Sequence, residues 1–174
     1  MTRSSSSGMI IARQNKNLVS RDFVLLSGRN RSTNGIAWLN IWNDIGTISA
    51  NILDIDTLFS TAKTFIGDGA LLSVGQISLT CEQQITDRTL AITLSQINNV
   101  VNDFVRTYDL HEQAAFVYQG DLDPDTHLLG QPAECVFAGF IDTNPISTGS
   151  VGDSGNIVIN LRSHTTELTR TNTL

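Results

Sequence analysis

The chain is poor in charge, cysteine and lysine, and each shortage closes off a class of function. Only 16% of its 174 residues are charged against 40% apolar, and Asn, Thr, Ser and Gln fill the gap. A neutral polar surface of that kind suits faces that meet other subunits. Cysteine occurs twice, as Cys81 and Cys135, each inside an apolar, strand-like segment. With no CxxC and no close Cys/His pair, two buried thiols are predicted, and neither a disulfide nor a metal site is. No apolar run approaches the ~18 residues that span a bilayer, so membrane insertion is not predicted. Residues 1–8 are Ser-rich with one arginine, and the apolar stretch behind them covers only residues 9–12, too short for a cleavable signal. The expectation is a protein made and kept in a cytoplasm, or released by lysis.

What charge there is lies unevenly. The first 31 residues hold Arg3, Arg13, Lys16, Arg21, Arg29 and Arg31 against one acid, Asp22, while the rest carries five basic and sixteen acidic groups. Such a body is a poor ligand for nucleic acid, because phosphate neutralisation needs clustered Lys and Arg. Residues 1–17 lack hydrophobic periodicity and read as a flexible basic arm on a single β-rich domain, residues 18–174. The arm suits docking on a neighbour's acidic face, and equally suits a solvated tail.

Along the domain, residues 18–26 form an apolar run consistent with helix or strand. Residues 27–35 read as a loop ending in an Asn-Gly turn at Asn34 and Gly35. Residues 36–42 (IAWLNIW) follow as a strand with Ile36, Trp38 and Asn40 on one face. Ile45, Ile48, Ile52, Leu53 and Ile55 suggest another. Leu72 and Val74 alternate, Gly75 interrupts, and Ile77, Leu79 and Cys81 resume on the other parity, which predicts a β-bulge at Gly75. Leu90, Ile92 and Leu94 make a returning strand. One helix is predicted over about residues 95–106, capped by Ser95, with Ile97, Val100, Val101, Phe104 and Val105 as its apolar stripe. Strands follow at residues 114–119, with Phe116 and Tyr118 on one face, at 134–143 and at 156–162. No βαβ alternation is visible. The fold class predicted is mainly β, an antiparallel β-barrel or sandwich with one packed α-helix.

Three short strings imitate reactive sites and fail on chemistry. Gly152-Asp153-Ser154-Gly155 spells the segment around a serine-protease nucleophile, but His111, His127 and His164 all lie in polar contexts unlike that of such a base. Leu25 to Gly28, with Gly35, Ile36 and Ala37 downstream, is faintly like a nucleotide loop. A strand follows Gly35 where a helix is needed, and the only lysines are Lys16 and Lys63, with no Tyr-x-x-x-Lys pair. Asp121, Asp123 and Asp125 alternate as in a calcium loop, yet Thr126 stands at the sixth place and Pro132 at the twelfth. No catalytic, cofactor-binding or metal-ligating residue is predicted, and no enzyme.

The chain nevertheless carries an ordered set of motifs. Phe65-Ile66-Gly67-Asp68-Gly69-Ala70-Leu71-Leu72-Ser73-Val74 is similar to an "xxGxGxLLSI" segment, and residues 90–97 (LAITLSQI) to an "LTLSGI" strand-to-helix junction. Residues 115–123 (AFVYQGDLD) follow a "VRIYLGFLD" pattern, residues 136–143 (VFAGFIDT) an "LFxGRIDT" pattern, and residues 156–170 an "ATIxLxxESRLADLER" ending. In that order, over residues 64–170, they resemble the tail-hub proteins of bacteriophages and gene transfer agents. Many members of that family continue into a further domain, in some with cysteines for an iron–sulfur cluster, and nothing here matches it. The resemblance implies a non-enzymatic subunit of the virion tail tip or baseplate, assembled in the host cytoplasm. It would form a trimeric or hexameric ring that joins the tail tube to the central fibre and penetration components and passes DNA without binding it. A distal-tail or tail-terminator type of connector is the next reading, and a receptor- or carbohydrate-binding β-module the third.

Overall fold

A computed structural model describes residues 18–55, 59–76, 88–124, 126–144, 146–147 and 155–164. Its first strand decides the architecture. β1 (Val19–Asn30) pairs antiparallel with β2 (Ile36–Trp42) on one side and with β8 (Ala114–Leu122) on the other. Phe23, Val24, Leu25 and Leu26 are all buried. Val24 and Leu26 face a larger core with Leu90, Ile92, Leu94, Ile157 and Ile159. Phe23 and Leu25 face a smaller one with Trp42, Ile52, Phe65 and Tyr118. A strand covered on both faces loses polar alternation and reads as a continuous apolar run, which is why residues 18–26 have no period of their own.

The remaining strands are β3 (Thr47–Leu53), β4 (Ser60–Ile66), β5 (Leu71–Val74), β6 (Thr89–Ser95), β7 (Tyr108–Asp109), β9 (Glu134–Thr143), β10 (Ile146–Ser147) and β11 (Asn156–Ser163). They run in the order β3-β4-β2-β1-β8-β9-β11-β6-β5, with β10 on β11 and β7 on β1. Pairing is antiparallel except where Ile41 of β2 meets Ile66 of β4 and where Ile52 of β3 meets Ala133. The end strands β3 and β5 are not bonded to each other. Among the described residues the molecule is thus a β-sandwich with one helix, mainly β as the sequence predicts, and its sheet is not closed into a barrel. β3 is pinned over the smaller core by Ala133, whose N–H donates to Asn51 O (2.8 Å) and whose carbonyl accepts from Leu53 N–H (2.9 Å).

Two expected boundaries move. The loop expected over residues 27–35 shrinks, because β1 continues to Asn30. Ser27 can stay in the ladder while buried because its hydroxyl donates to Ala114 O at 2.8 Å. The turn itself is built by Asn30, whose Oδ1 accepts from the N–H groups of Ser32 and Thr33, and by Asn34 at φ 57°. A bulge falls at Leu72, and the one expected at Gly75 depends on residues beyond 76 that are outside the described ones. Leu71 pairs with Leu94 and Ser73 with Thr93, leaving Leu72 extra and half exposed, while Gly75 N–H still donates to Ala91 O. Ile77, Leu79 and Cys81 lie outside the described residues.

The helix, α1 (Asn99–Thr107), starts later than Ser95. Ser95 remains in β6, paired with Asn156, and its N–H donates to Ala70 O, so the sheet holds the chain extended through that point. Asn98 is the cap, its Oδ1 accepting from Val100 and Val101 N–H at 3.0 and 3.3 Å. Val101, Phe104 and Val105 are buried as the stripe predicts, whereas Ile97 precedes the helix and is exposed, and Val100 is half exposed. A helix of nine residues is marginal alone, so those three side chains, at roughly 1.5–3 kcal/mol each when fully buried, hold it. Replacing Asn98 by Ala should cost about 1 kcal/mol in denaturant unfolding. Ser95→Ala, which removes no helix cap, should cost clearly less. The reverse ranking would restore the earlier start.

Candidate functional site

The sites that the sequence imitates do not assemble among the described residues. His111 sits in the turn before β8, His127 in the turn after it and His164 beyond β11, all exposed, with His164 edge-on to Phe140 at 4.4 Å. Residues 152–154 lie outside the described residues; Gly155 gives its carbonyl to Gln96 N–H at 3.1 Å. Leu25 to Gly28 are mid-strand, and β2 follows Gly35. Asp121, first of the three alternating acids, is buried at the end of β8, where its carboxylate accepts from the Ser20 hydroxyl. The turn after β8 is closed by Asp123 N–H to Leu128 O and His127 N–H to Asp123 O. Cys135 is half-buried, its thiol donating to Phe137 O at 3.2 Å, and Cys81 is outside the described residues.

Two glycines in the ordered motifs have steric reasons to be there. A Cβ on Gly67 would stand 2.0 Å from Asp44 O, because the turn after β4 presses against the turn after β2. A Cβ on Gly139 would stand 1.9 Å from Arg162 O, where β9 meets β11. The corner around Gly67 is densely bonded. Gly46 O accepts from both Gly67 N–H (2.8 Å) and the Trp42 indole (2.9 Å), and Asp68 accepts from Gly46 N–H. Arg21 Nε lies 2.7 Å from Asp44 and, with the Ile45 N–H, holds that carboxyl below the usual range. Asp22 next door is pushed the other way by burial, with Arg21 only partly compensating. These groups tie one turn to another.

An open groove of about 600 Å³ lies among the described residues between β2, the end of β4 and α1. Trp38, Asn40, Thr64, Val100, Phe104 and Tyr108 line it, and Asp103 is the charged residue on its wall. Trp38 is 46% exposed and stacks on Phe116 at 6.1 Å, while Ile36 beside it is 63% exposed. Phe104 stacks on Tyr108 at 4.8 Å and forms the opposite wall. Asn40 donates to Thr64 O at 3.1 Å, and its buried Oδ1 accepts no hydrogen bond from the described residues.

The groove runs beside a bare strand edge. β4 meets β2 only at Ile41, so residues 36–39 have no strand on their outer side among the described residues. Hydrogen bonds from Asn43 N–H to Asp22 O and from Asn30 N–H to Gly35 O fix the phase of the β1–β2 ladder. Bonded and non-bonded pairs alternate, so Ala37 and Leu39 direct their backbone groups at β1. Ile36 and Trp38 therefore present theirs to the groove. Sequence alternation put Ile36, Trp38 and Asn40 on one face. It held no sign that the neighbouring strand stops short, because that depends on where β4 crosses.

No protein-family model matches the chain, and no curated protein does either. The edge assignment has its own check. At protein concentrations too low for self-association, the amides of Ile36 and Trp38 should exchange with solvent much faster than those of Ala37 and Leu39. Uniform protection along residues 36–39 would mean that the edge is covered.

Proposed function

We propose that this chain is a structural subunit of a bacteriophage or gene-transfer-agent tail tip, of the tail-hub kind. In this reading it forms a trimeric or hexameric ring in the virion tail, after assembly in the host cytoplasm. The ring joins the tail tube to the central fibre and penetration components and passes DNA without specific binding. No catalytic step is part of the reading. What carries it is the ordered set of motifs, whose described residues fall on successive elements of the fold. The first spans the end of β4, the tight turn and β5; the second is β6 running toward α1; the others are β8, β9 and β11. The close backbone contacts at Gly67 and Gly139 fit it, since both motif glycines stand where a Cβ would clash.

Surface character supports it as well. Asp103, Asp109 and Glu112 are exposed acids around α1 and the turn before β8, and carboxylates of that kind repel a sliding phosphate backbone. A bare strand edge with exposed Ile36 and Trp38 is an association surface, a feature that solitary proteins blunt. The same sandwich and edge suit a distal-tail or tail-terminator connector. The half-exposed Trp38 in a groove is the one observation on the side of a carbohydrate-binding β-module.

Light scattering coupled to size exclusion separates these readings. The hub or connector reading expects a trimer or hexamer mass, with rings in micrographs. A monomer at all accessible concentrations, with tryptophan fluorescence that responds to added oligosaccharide, would replace it with the binding module.

A further inference from the structure

The bare edge of β2 has a shape that specifies its occupant. It offers outward N–H and C=O groups at Ile36 and Trp38, flanked by exposed Ile36, Trp38 and Val100 and by the aromatic wall of Phe104 and Tyr108. An extended segment laid there continues the sheet through main-chain bonds, and its alternate side chains enter the groove. Such a segment must be short, apolar and able to lie flat. The charged residue on the groove wall is acidic, Asp103, so a basic flank is favoured.

We infer that residues 9–13 of a second copy of this chain dock as an added strand on the edge of β2. This segment reads Met9, Ile10, Ile11, Ala12 and Arg13. It lies in a stretch, residues 1–17, that contains Arg3, Arg13 and Lys16 and no acid. Residues 18–174, by contrast, hold all seventeen acids against eight basic groups. Four apolar residues match the length of the bare edge, and Arg13 follows them with a charge opposite to that of Asp103.

Reach decides between the chain's own edge and a neighbour's. Trp38 stands opposite Ser27, nine residues along β1 from Leu18, which is about 30 Å at ~3.3 Å per residue. The outer side of β2 lies roughly 10 Å further across the sheet, two strand spacings of ~4.8 Å. Ala12 is six residues before Leu18 and reaches at most about 22 Å when fully extended, and Ile10 about 29 Å. The apolar segment therefore cannot lie along its own chain's edge. A neighbouring copy has no such limit, and each copy that gives an arm also offers an edge, which closes into a ring if the rotation permits.

The inference shares with the proposed function only the premise that copies associate, and the test separates them. Full-length chains carrying Ile10→Cys are mixed with size-tagged full-length chains carrying Ile36→Cys and oxidised. Each single variant alone sets the background from Cys81 and Cys135. The expected result is a mixed cross-linked species well above that background, and none when Leu128→Cys, on the distant β8–β9 turn, replaces Ile36→Cys. In a second arm, Ile36→Pro removes an outward N–H and leaves the β1 ladder intact. It should raise the concentration for half-association about tenfold or more, with the thermal transition of the protomer nearly unchanged. Association without the mixed cross-link, or an equal yield at Leu128, overturns the arm docking and leaves the ring reading standing. A monomer at every concentration overturns both.

Discussion

The described strands are arranged around β1, whose central residues 23–28 are all buried. β1 contributes Val24 and Leu26 to one core and Phe23 and Leu25 to another, and pairs on both edges with β2 and β8. Phe23 lies parallel to the Trp42 ring at 5.8 Å and edge-on to Phe65 at 5.0 Å, so the smaller core is largely aromatic. At roughly 1.5–3 kcal/mol per fully buried large side chain, four consecutive such residues make β1 the strand the fold can least afford to lose. The β3–β4 hairpin and the β6–β11 pair lie on opposite sides of it. β1 sits at the centre of the three neighbouring strands, β2, β1 and β8, that contribute to both cores.

That arrangement sets how much could be read from the sequence. Strands with one covered face were legible: Leu90, Ile92 and Leu94 alternate in β6, and Ile157, Ile159 and Leu161 in β11, and all six are buried. β1 was not, because covering both faces erases the alternation. Its end at Asn30 was hidden because small polar residues signal loops, and only the carbonyl of Ala114, 87 residues away, lets Ser27 stay in the sheet. The helix was legible as a stripe and misplaced at its start, since two residues, Ser95 and Asn98, can each cap. Tertiary pairing of β6 with β11 chose between them. The groove had no local signal at all. It exists because β4 crosses β2 at a single pair, Ile41 with Ile66.

The same geometry accounts for the unfinished part of the surface. β2 is bound firmly to β1 and can neither peel away nor turn its apolar side chains inward, because its inner face is already filled by Leu39 and Ile41. Ile36 and Trp38 are left outside by alternation. An assembly of copies is the natural completion of such an edge. In the function proposed above, that assembly is a ring in the tail tip of a virus-like particle.

Native-state hydrogen exchange across a denaturant series tests the central claim, that β1 welds two cores into one cooperative unit. The amides of the β3–β4 ladder on one side and of the β6–β11 ladder on the other should open at the same free energy, with the slope of global unfolding. If the β3–β4 amides instead opened at a distinctly lower free energy while β6 and β11 stayed protected, the smaller core would be a detachable flap and β1 would not be the strand that joins the two.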